Sequence, residues 1–235
     1  MLTTLIEMTG WPVAAVQIAI VGGWLGIVGA ISEGLYLTTN VSPEVTRKVV
    51  HIGAGNVIIL AWVLRIPGWI AIAAALLFSG IALLSYWLPI LPGINSVGRH
   101  SLGTFFYAVS VGVLTAAFWD QGYPQFTAIG ILIMTWGDGL AALVGQRWGR
   151  HRYQLWRSQK SWEGSATMAT VSGGVALVTL GVAYGVGATT IAISIVVAIV
   201  ATSLEAFSWM GIDNLTVPVG SALLAYSLCH WLGLA

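Results

Sequence analysis

The sequence predicts an all-α, polytopic integral membrane helix bundle with about eight transmembrane helices. Of its 235 residues, 57% are hydrophobic and only 7% are charged, whereas soluble domains are typically about 25% charged. The mean hydropathy of +0.89 points the same way. The apolar runs are hydrophobic on every face, which indicates helices rather than barrel strands of alternating polarity. We therefore expect one transmembrane domain over residues 1–235, with the lipid bilayer as its surroundings.

The predicted spans follow the apolar runs of the chain. A spanning helix needs about 20 mostly apolar residues, and the second run is short enough to need its flanks to cross. Turn-forming residues separate the runs, as in Ser42-Pro43, Pro67-Gly68 and Gly122 with Pro124. The eight runs are 13–31, 49–64, 69–88, 101–119, 125–146, 165–185, 189–208 and 215–234.

The basic residues predict the orientation. With eight spans, the loops 32–48, 89–100, 147–164 and 209–214 lie on one side and hold eight of the nine Lys and Arg residues, whereas the other side holds only Arg65. Cytoplasmic loops carry the Lys and Arg excess, so this set should be cytoplasmic, and 147–164 should be its basic loop. No Lys or Arg precedes Arg47, which does not fit a signal or transit peptide. We therefore expect a bacterial or cyanobacterial membrane.

Carboxylates near that basic side require a reason, because charged groups inside a bilayer are costly and suggest function. Asp138 lies about eight residues before the loop, roughly 12 Å deep in an unbroken helix. Glycines flank it, so the helix is broken or closely approached there. Glu205 ends the seventh run, and Asp213 and Asn214 follow it. These groups should converge on one face, although an ion pair of Asp138 with Arg147 or Arg99 remains an alternative.

Carboxylates beside basic residues at a membrane surface suit phosphate chemistry. Mg²⁺ usually binds one or two carboxylates together with substrate phosphates, and Lys and Arg hold phosphate oxygens. The combination fits a nucleoside triphosphate or a lipid phosphate. The sequence contains no P-loop and no dinucleotide-binding glycine motif. Its four histidines lack close metal-ligand spacing. His51 follows Arg47 and Lys48 by one helical turn, and a helix contact is its alternative role. We expect no nucleic acid partner.

Four segments resemble the polyprenol kinases, a family that includes phytol, farnesol and dolichol kinases. "GDGLAALVGQRWGRHR" followed by "KSWEGS" is similar to the family's signature, and "EVTRKVVHIGAG" to its early R-K-x-x-H segment. "GRHSLGTFFYAV" resembles its middle segment, and "EAFSWMGIDNLTVP" its late segment in the form of the phytol kinase branch. The resemblance covers about positions 44 to 220.

The resemblance implies a membrane kinase that transfers the γ-phosphate of CTP to a long-chain isoprenoid alcohol, phytol first, with Mg²⁺. In the phytol kinase branch the product, phytyl phosphate, leads towards tocopherol. The positions that match the family's motifs are Asp138, Lys160, Ser161, Glu163, Gly164, Glu205, Asp213 and Asn214, with Arg47, Lys48 and His51 in the early segment.

These matches give a site hypothesis in which the tail of the alcohol lies between helices and its hydroxyl lies at the cytoplasmic interface. Mg²⁺ is expected at Asp138 with Glu205 or Asp213. Asp138 is the first candidate for the group that accepts the hydroxyl proton, and Asp213 is the second. The nucleotide phosphates should meet Lys160, Ser161, Glu163, Asn214, Arg147, Arg150, Arg47, Lys48 and His51. Glu163 could equally cap the sixth helix, and Asn214 could simply turn the chain.

Two other functions remain open. A lipid cytidylyltransferase would use the same setting but attack the α-phosphorus of CTP with a lipid phosphate. An ion-coupled transporter would use the acids to carry protons or ions, but should show an internal inverted repeat, which the sequence lacks. The pairs Gly22/Gly26, Gly145/Gly149 and Gly181/Gly185 allow close helix packing, so a homodimer is also possible.

Overall fold

The computed structural model describes residues 12–39, 42–87, 102–156 and 158–235. The predictions on Arg99, Arg157 and the loop 89–100 lie outside these residues. Proline begins two of the helices, Pro43 and Pro124, where its fixed φ is favourable and its missing N–H is not needed. The first half of the chain forms α1 (Val13–Thr38), α2 (Pro43–Gly55), α3 (Val57–Val63), α4 (Gly68–Trp87) and α5 (Gly103–Leu114).

The second half is built around one long rod. It starts as α6 (Pro124–Leu132), widens into a π-helical segment (Ile133–Asp138) and continues as α7 (Gly139–Trp148). A π-helical turn, Thr115–Trp119, also extends α5. The remaining elements are the strands β1 (Arg152–Leu155) and β2 (Ser158–Ser161) and the helices α8 (Trp162–Tyr184), α9 (Ala188–Ala206) and α10 (Asp213–Trp231).

Contacts between connections of the described helices lie at two ends of the bundle. At one end, which we call the Arg65 end, Gly68 N–H donates to Asp120 (3.1 Å), and Trp119 donates its indole N–H to the carbonyl of Ile66 (2.8 Å). At the opposite end, Leu102 N–H donates to the carbonyl of Met210 (3.2 Å). Each run predicted to span the membrane is mostly helical over its described residues.

Length and apolar composition allow five of the described helices to cross a membrane: Val13–Thr38, Gly68–Ser85, Pro124–Trp148, Trp162–Tyr184 and Ala188–Ala206. Gly103–Trp119 is apolar but shorter. The second predicted span is interrupted at Asn56, where α2 gives way to α3. These helices confirm the predicted all-α membrane bundle.

The core surrounds the central rod. Phe126, Ala128, Ile129, Ile133 and Met134 on it are completely buried, and α5, α8 and α10 pack against it. Helices α1 and α4 are peripheral and leave many apolar side chains exposed, as lipid-facing helices do. The rod therefore carries Asp138 through the best-packed part of the molecule.

The basic segment 147–164 differs from the predicted loop. Helix α7 extends to Trp148, and β1 and β2 then form an antiparallel hairpin in which Arg152 lies opposite Ser161. Gly145 and Gly149 make room for the end of this hairpin, because a Cβ on Gly149 would collide with the Gly145 carbonyl oxygen and lie 2.8 Å from Ser161 Oγ. A Cβ on Gly22 or Gly26 would meet no atom within 4 Å. The homodimer thus stays a prediction.

Candidate active site

Asp138 ends the π-helical segment at the end of the bundle opposite Arg65. Its neighbouring glycines allow two helices to approach the rod. A Cβ on Gly137 would lie 2.7 Å from Met168 Sδ of α8, and one on Gly139 would lie 3.0 Å from Ile52 Cγ1 of α2. The close approach expected from these glycines is therefore confirmed. Single π turns within α-helices are frequent at functional sites.

Lys48 of α2 is the ion-pair partner of Asp138. Its Nζ donates to Asp138 Oδ2 at 2.5 Å, and the two side chains are only 7% and 16% exposed. The alternative partners expected from the sequence were Arg147 and Arg99, and Arg99 lies outside the described residues. Arg147 is instead exposed, with its guanidinium carbon 5.4 Å from the centroid of the Trp148 ring. The partner comes from 90 residues away in the chain, so spacing alone could not reveal it.

His51 lies one turn beyond Lys48 on the same face of α2. Its Nε2 is 3.2 Å from the carbonyl oxygen of Met134. Because a carbonyl only accepts, this nitrogen carries the proton. The ring also packs against Tyr107, with centroids 5.0 Å apart. Arg47 points away, is exposed and pairs with Glu44 at 2.5 Å. Lys48 and His51 thus join the site, and Arg47 does not.

Lys160 and Glu205 form a second ion pair, in which Lys160 Nζ donates to Glu205 Oε1. Lys160 is carried by β2, and Glu205 is 5% exposed near the end of α9. This contact ties the hairpin to α9. It brings the basic segment and the late segment together, as the sequence predicts.

Asp213 is the third buried carboxylate, at 8% exposure. It is the first residue of α10 and precedes the predicted span 215–234. Within the described part of the chain it forms no ion pair, and Asn214 Nδ2 lies 3.5 Å from its Oδ1. Burial, together with the negative charges of Asp138 and Glu205, raises the pKa of Asp213 to about 6 despite the opposing charge of Lys160. Asp213 therefore lies within electrostatic reach of both ion pairs.

The site has an excess of negative charge. Three carboxylates, Asp138, Glu205 and Asp213, share it with two ammonium groups. If all five groups are ionised and His51 is neutral, one negative charge remains. Among the residues that the structure describes, no three His, Cys, Asp or Glu side chains lie close enough to form a ready-made metal site.

Ser161 and Glu163 have structural partners. Ser161 is the N-cap of α8, and its Oγ accepts the Gly164 N–H at 3.1 Å. Glu163, in the first turn of α8, accepts the His151 N–H at 3.2 Å and lies 2.7 Å from His151 Nδ1. The structure thus places both residues at the helix start that the capping alternative requires. Arg150 is exposed just before the hairpin.

One polar group at the site was missed by sequence reasoning. Ser172 of α8 is completely buried, and its Oγ has no hydrogen-bond partner in the described structure. The same oxygen would lie 3.0 Å from a Cβ on Gly137, so it is next to the rod at Asp138. A single serine within an apolar run gives no sequence signal, and only the packing shows its position.

Comparison with known proteins finds that the chain is similar to phytol and farnesol kinases. The chain is 52% identical over 219 residues to the phytol kinase of Synechocystis sp., covering 93% of this chain and 94% of that protein. It is 27% identical over 229 residues to phytol kinase 1, chloroplastic, of Arabidopsis thaliana, and the match covers 89% of this chain and 74% of that protein. It is 31% identical over 142 residues to the farnesol kinase, chloroplastic, of the same plant, and this match covers 54% of this chain and 44% of that protein.

No family model matches the chain. No solved structure matches it either. The assignment therefore depends on the relatives, and the first of them is similar over nearly the whole length of both chains. The segments that carry the motifs are also those that the structure brings together around Asp138. The chain belongs to the polyprenol kinase family, on the side of the phytol kinases.

Proposed function

We propose that this protein transfers the γ-phosphate of CTP to a long-chain isoprenoid alcohol at the cytoplasmic face of the membrane. Phytol is the first candidate for that alcohol. The names of its relatives support the alcohol as acceptor. CTP as donor follows from the family resemblance. The observation that carries the proposal is the buried charge cluster at one end of an apolar bundle, in which two lysine–carboxylate pairs act electrostatically on Asp213, a carboxylate without an ion-pair partner among the described residues.

The nucleotide phosphates bind on the hairpin side of this cluster. Lys160 is 20% exposed at its side chain and is the lysine nearer to water, whereas Lys48 is 7% exposed. A phosphate oxygen can replace Glu205 as the partner of Lys160. Arg147 and Arg150 are exposed at the same end, where they add positive charge for an incoming triphosphate.

Mg²⁺ fits the negative charge that remains. Asp213 lacks an ion-pair partner among the described residues, and burial first, then repulsion from Asp138 and Glu205, raises its pKa to about 6. A divalent cation at Asp213 and Glu205 would relieve that repulsion. Two protein carboxylates are enough for Mg²⁺, which takes its other ligands from water and phosphates. When bound, it would neutralise phosphate charge.

Asp138 orients the alcohol and accepts its proton. Lys48 donates a hydrogen bond to Oδ2 of Asp138. No hydrogen bond to Oδ1 of Asp138 is found in the described part of the chain. The hydroxyl oxygen attacks the γ-phosphorus. A new O–P bond forms while the bond from that phosphorus to the β–γ bridging oxygen breaks, so a nucleoside diphosphate leaves. Phosphoryl transfer depends on positioning and charge stabilisation more than on a strong base, and the Lys48 pair provides that positioning.

Labelled CTP tests this proposal. Detergent-purified protein is incubated with Mg²⁺, phytol and CTP labelled at the α or γ phosphate. We expect label in the lipid from γ-labelled CTP only, and a loss of about 100-fold or more in Asp213→Asn. Asp120→Asn is the matched control, since Asp120 lies at the Arg65 end and an Asn oxygen can still accept the Gly68 N–H.

Two outcomes would overturn the proposal. Transfer of α-label to a lipid phosphate would make the protein a cytidylyltransferase. No transfer to phytol, farnesol or geranylgeraniol from CTP, UTP or ATP, by protein shown to be folded, would exclude a prenol kinase. If the kinase activity is found, its product, a prenyl monophosphate such as phytyl phosphate, would feed a reaction that consumes activated prenyl groups, as in tocopherol formation.

A further inference from the structure

We propose that an apolar groove beside Asp138 binds the hydrocarbon tail of the alcohol substrate, an inference that rests on the proposed function. The groove has a volume of about 360 Å³ and lies between α3, the central rod and α8. Ile59, Leu132 and Trp136 line two of its sides, and the α8 face from Val171 to Thr179 lines the third.

The groove begins within two residues of Asp138 along the rod and extends away from that position. Trp136 is two residues from Asp138, or roughly 3 Å along the rod, and Leu132 is six residues away, or roughly 9 Å. On α8, Met168 packs against Gly137, and Val171, Val175 and Val178 follow at helical spacing. An alcohol with its tail in the groove therefore has its hydroxyl at about the same depth along the rod as Asp138.

The lining has the chemistry of a hydrocarbon site. Its side chains are aliphatic except for Thr179 and Trp136, and none is charged. The indole N–H of Trp136 donates to Asn56 Oδ1 at 3.0 Å. Its polar atom is therefore satisfied, and the ring can offer its apolar surface. The stretch from Val171 to Thr179 is roughly 12 Å long, shorter than an extended phytyl chain, so the far end of the tail would lie in the bilayer.

Gly174 offers a way to block the groove without disturbing the fold. It lines the groove, and a Cβ on it would meet no atom within 4 Å. Gly80 of α4 has the same free space on a lipid-facing helix away from the groove. Gly174→Trp should therefore fill the groove, whereas Gly80→Trp places the same side chain on the lipid surface.

The test compares kcat/KM of the wild-type protein and both variants for phytol and for 3-methylbut-2-en-1-ol, a five-carbon alcohol too short to need the groove. In Gly174→Trp we expect a loss of at least about tenfold for phytol, the effect of excluding about two methylene groups. Activity with the short alcohol should be unchanged. Gly80→Trp should match the wild-type protein with both alcohols.

If the wild-type protein phosphorylates phytol but the two variants behave alike, or if Gly174→Trp loses activity equally with both alcohols, the groove proposal is overturned while the proposed function stands.

A photoactivatable phytol analogue provides a readout independent of turnover. It should label the segment 171–179 and be displaced by phytol. Displacement by phospholipid and not by phytol would assign the groove to a bilayer lipid. Specific labelling in a protein without kinase activity would retain the groove and refute the proposed function.

Discussion

The Lys48–Asp138 pair allows a prediction that separates a structural ion pair from a catalytic one. The variants are Asp138→Asn, Lys48→Met and the double variant. At the 2.5 Å separation of Nζ and Oδ2, the gross attraction is roughly 7 kcal/mol at an effective dielectric constant of about 20. Desolvation offsets much of this, but a single substitution leaves the other charge buried without a partner. Each single variant should therefore lose about 3–5 kcal/mol of stability.

The double variant removes both charges together. Its loss in free energy of unfolding should be smaller than the sum of the two single losses by roughly 2–3 kcal/mol. Thermal unfolding of the detergent-purified protein measures this difference. The double variant's turnover of phytol should nevertheless stay at least about 100-fold below that of the wild-type protein, because the proposed acceptor of the hydroxyl proton is missing. Glu44→Gln is the stability control, since the pair that it breaks involves the 42% exposed Arg47 and should contribute less than about 1 kcal/mol.

Recovery of turnover along with stability in the double variant would refute the reasoning. Asp138 would then serve only to neutralise Lys48, and the proton would have to go to another group. Normal stability in both single variants would be equally damaging, because it would mean that the two charges are not buried together.

Three further predictions concern other contacts. Lys160→Met should raise the KM for the nucleotide at least about tenfold, while the exposed Arg152→Met should change it little; equal effects of both in steady-state kinetics would argue for general electrostatics alone. Gly55→Ala should destabilise by more than about 2 kcal/mol, because its Cβ would collide with Thr135 Oγ1 on the buried rod, whereas Gly22→Ala meets no atom within 4 Å and should be neutral or stabilising in thermal unfolding. Ser161→Ala removes the α8 cap and should cost about 1 kcal/mol with Ser161→Thr as the conservative comparison; an unchanged melting temperature would contradict that role.

The helices could be predicted because apolar length is a local property of the sequence. Each of the eight runs is mostly helical over its described residues, with a break at Asn56. The hairpin could not be predicted, because each strand has only four residues: the alternation in Arg152–Leu155 is too short to stand out, and Ser158–Ser161 has none. The π-helical segment, Ile133–Asp138, could not be predicted from the sequence either. Gly137 and Gly139 indicated a close approach, which α8 and α2 make on the two sides of the rod, but not the extra residue in the turn.

The members of the site could be predicted better than their partners. Asp138, Lys160, Glu205 and Asp213 come together as the motifs suggested. Lys48 was named as a phosphate ligand, but its contact with Asp138 joins residues 90 positions apart. Which member of the Arg47–Lys48 dipeptide turns inwards depends on the rotation of α2, which is set by His51 against Met134 and by Gly55 against Thr135.

The two ion pairs also bear on how the site accommodates its substrates. A buried lysine without an anion would be costly, so Glu205 and Asp138 keep Lys160 and Lys48 compensated when no phosphate is present. In the proposed reaction, a triphosphate that binds Lys160 would release the carboxylate of Glu205, whose charge already acts on Asp213, and would so add to the excess of negative charge. Nucleotide and divalent cation should therefore bind cooperatively, since each removes a repulsion that the other would face. In Glu205→Gln this linkage should weaken, so that the nucleotide affinity measured without Mg²⁺ rises while the gain on adding Mg²⁺ falls; an unchanged gain would show that the metal binds independently of Glu205.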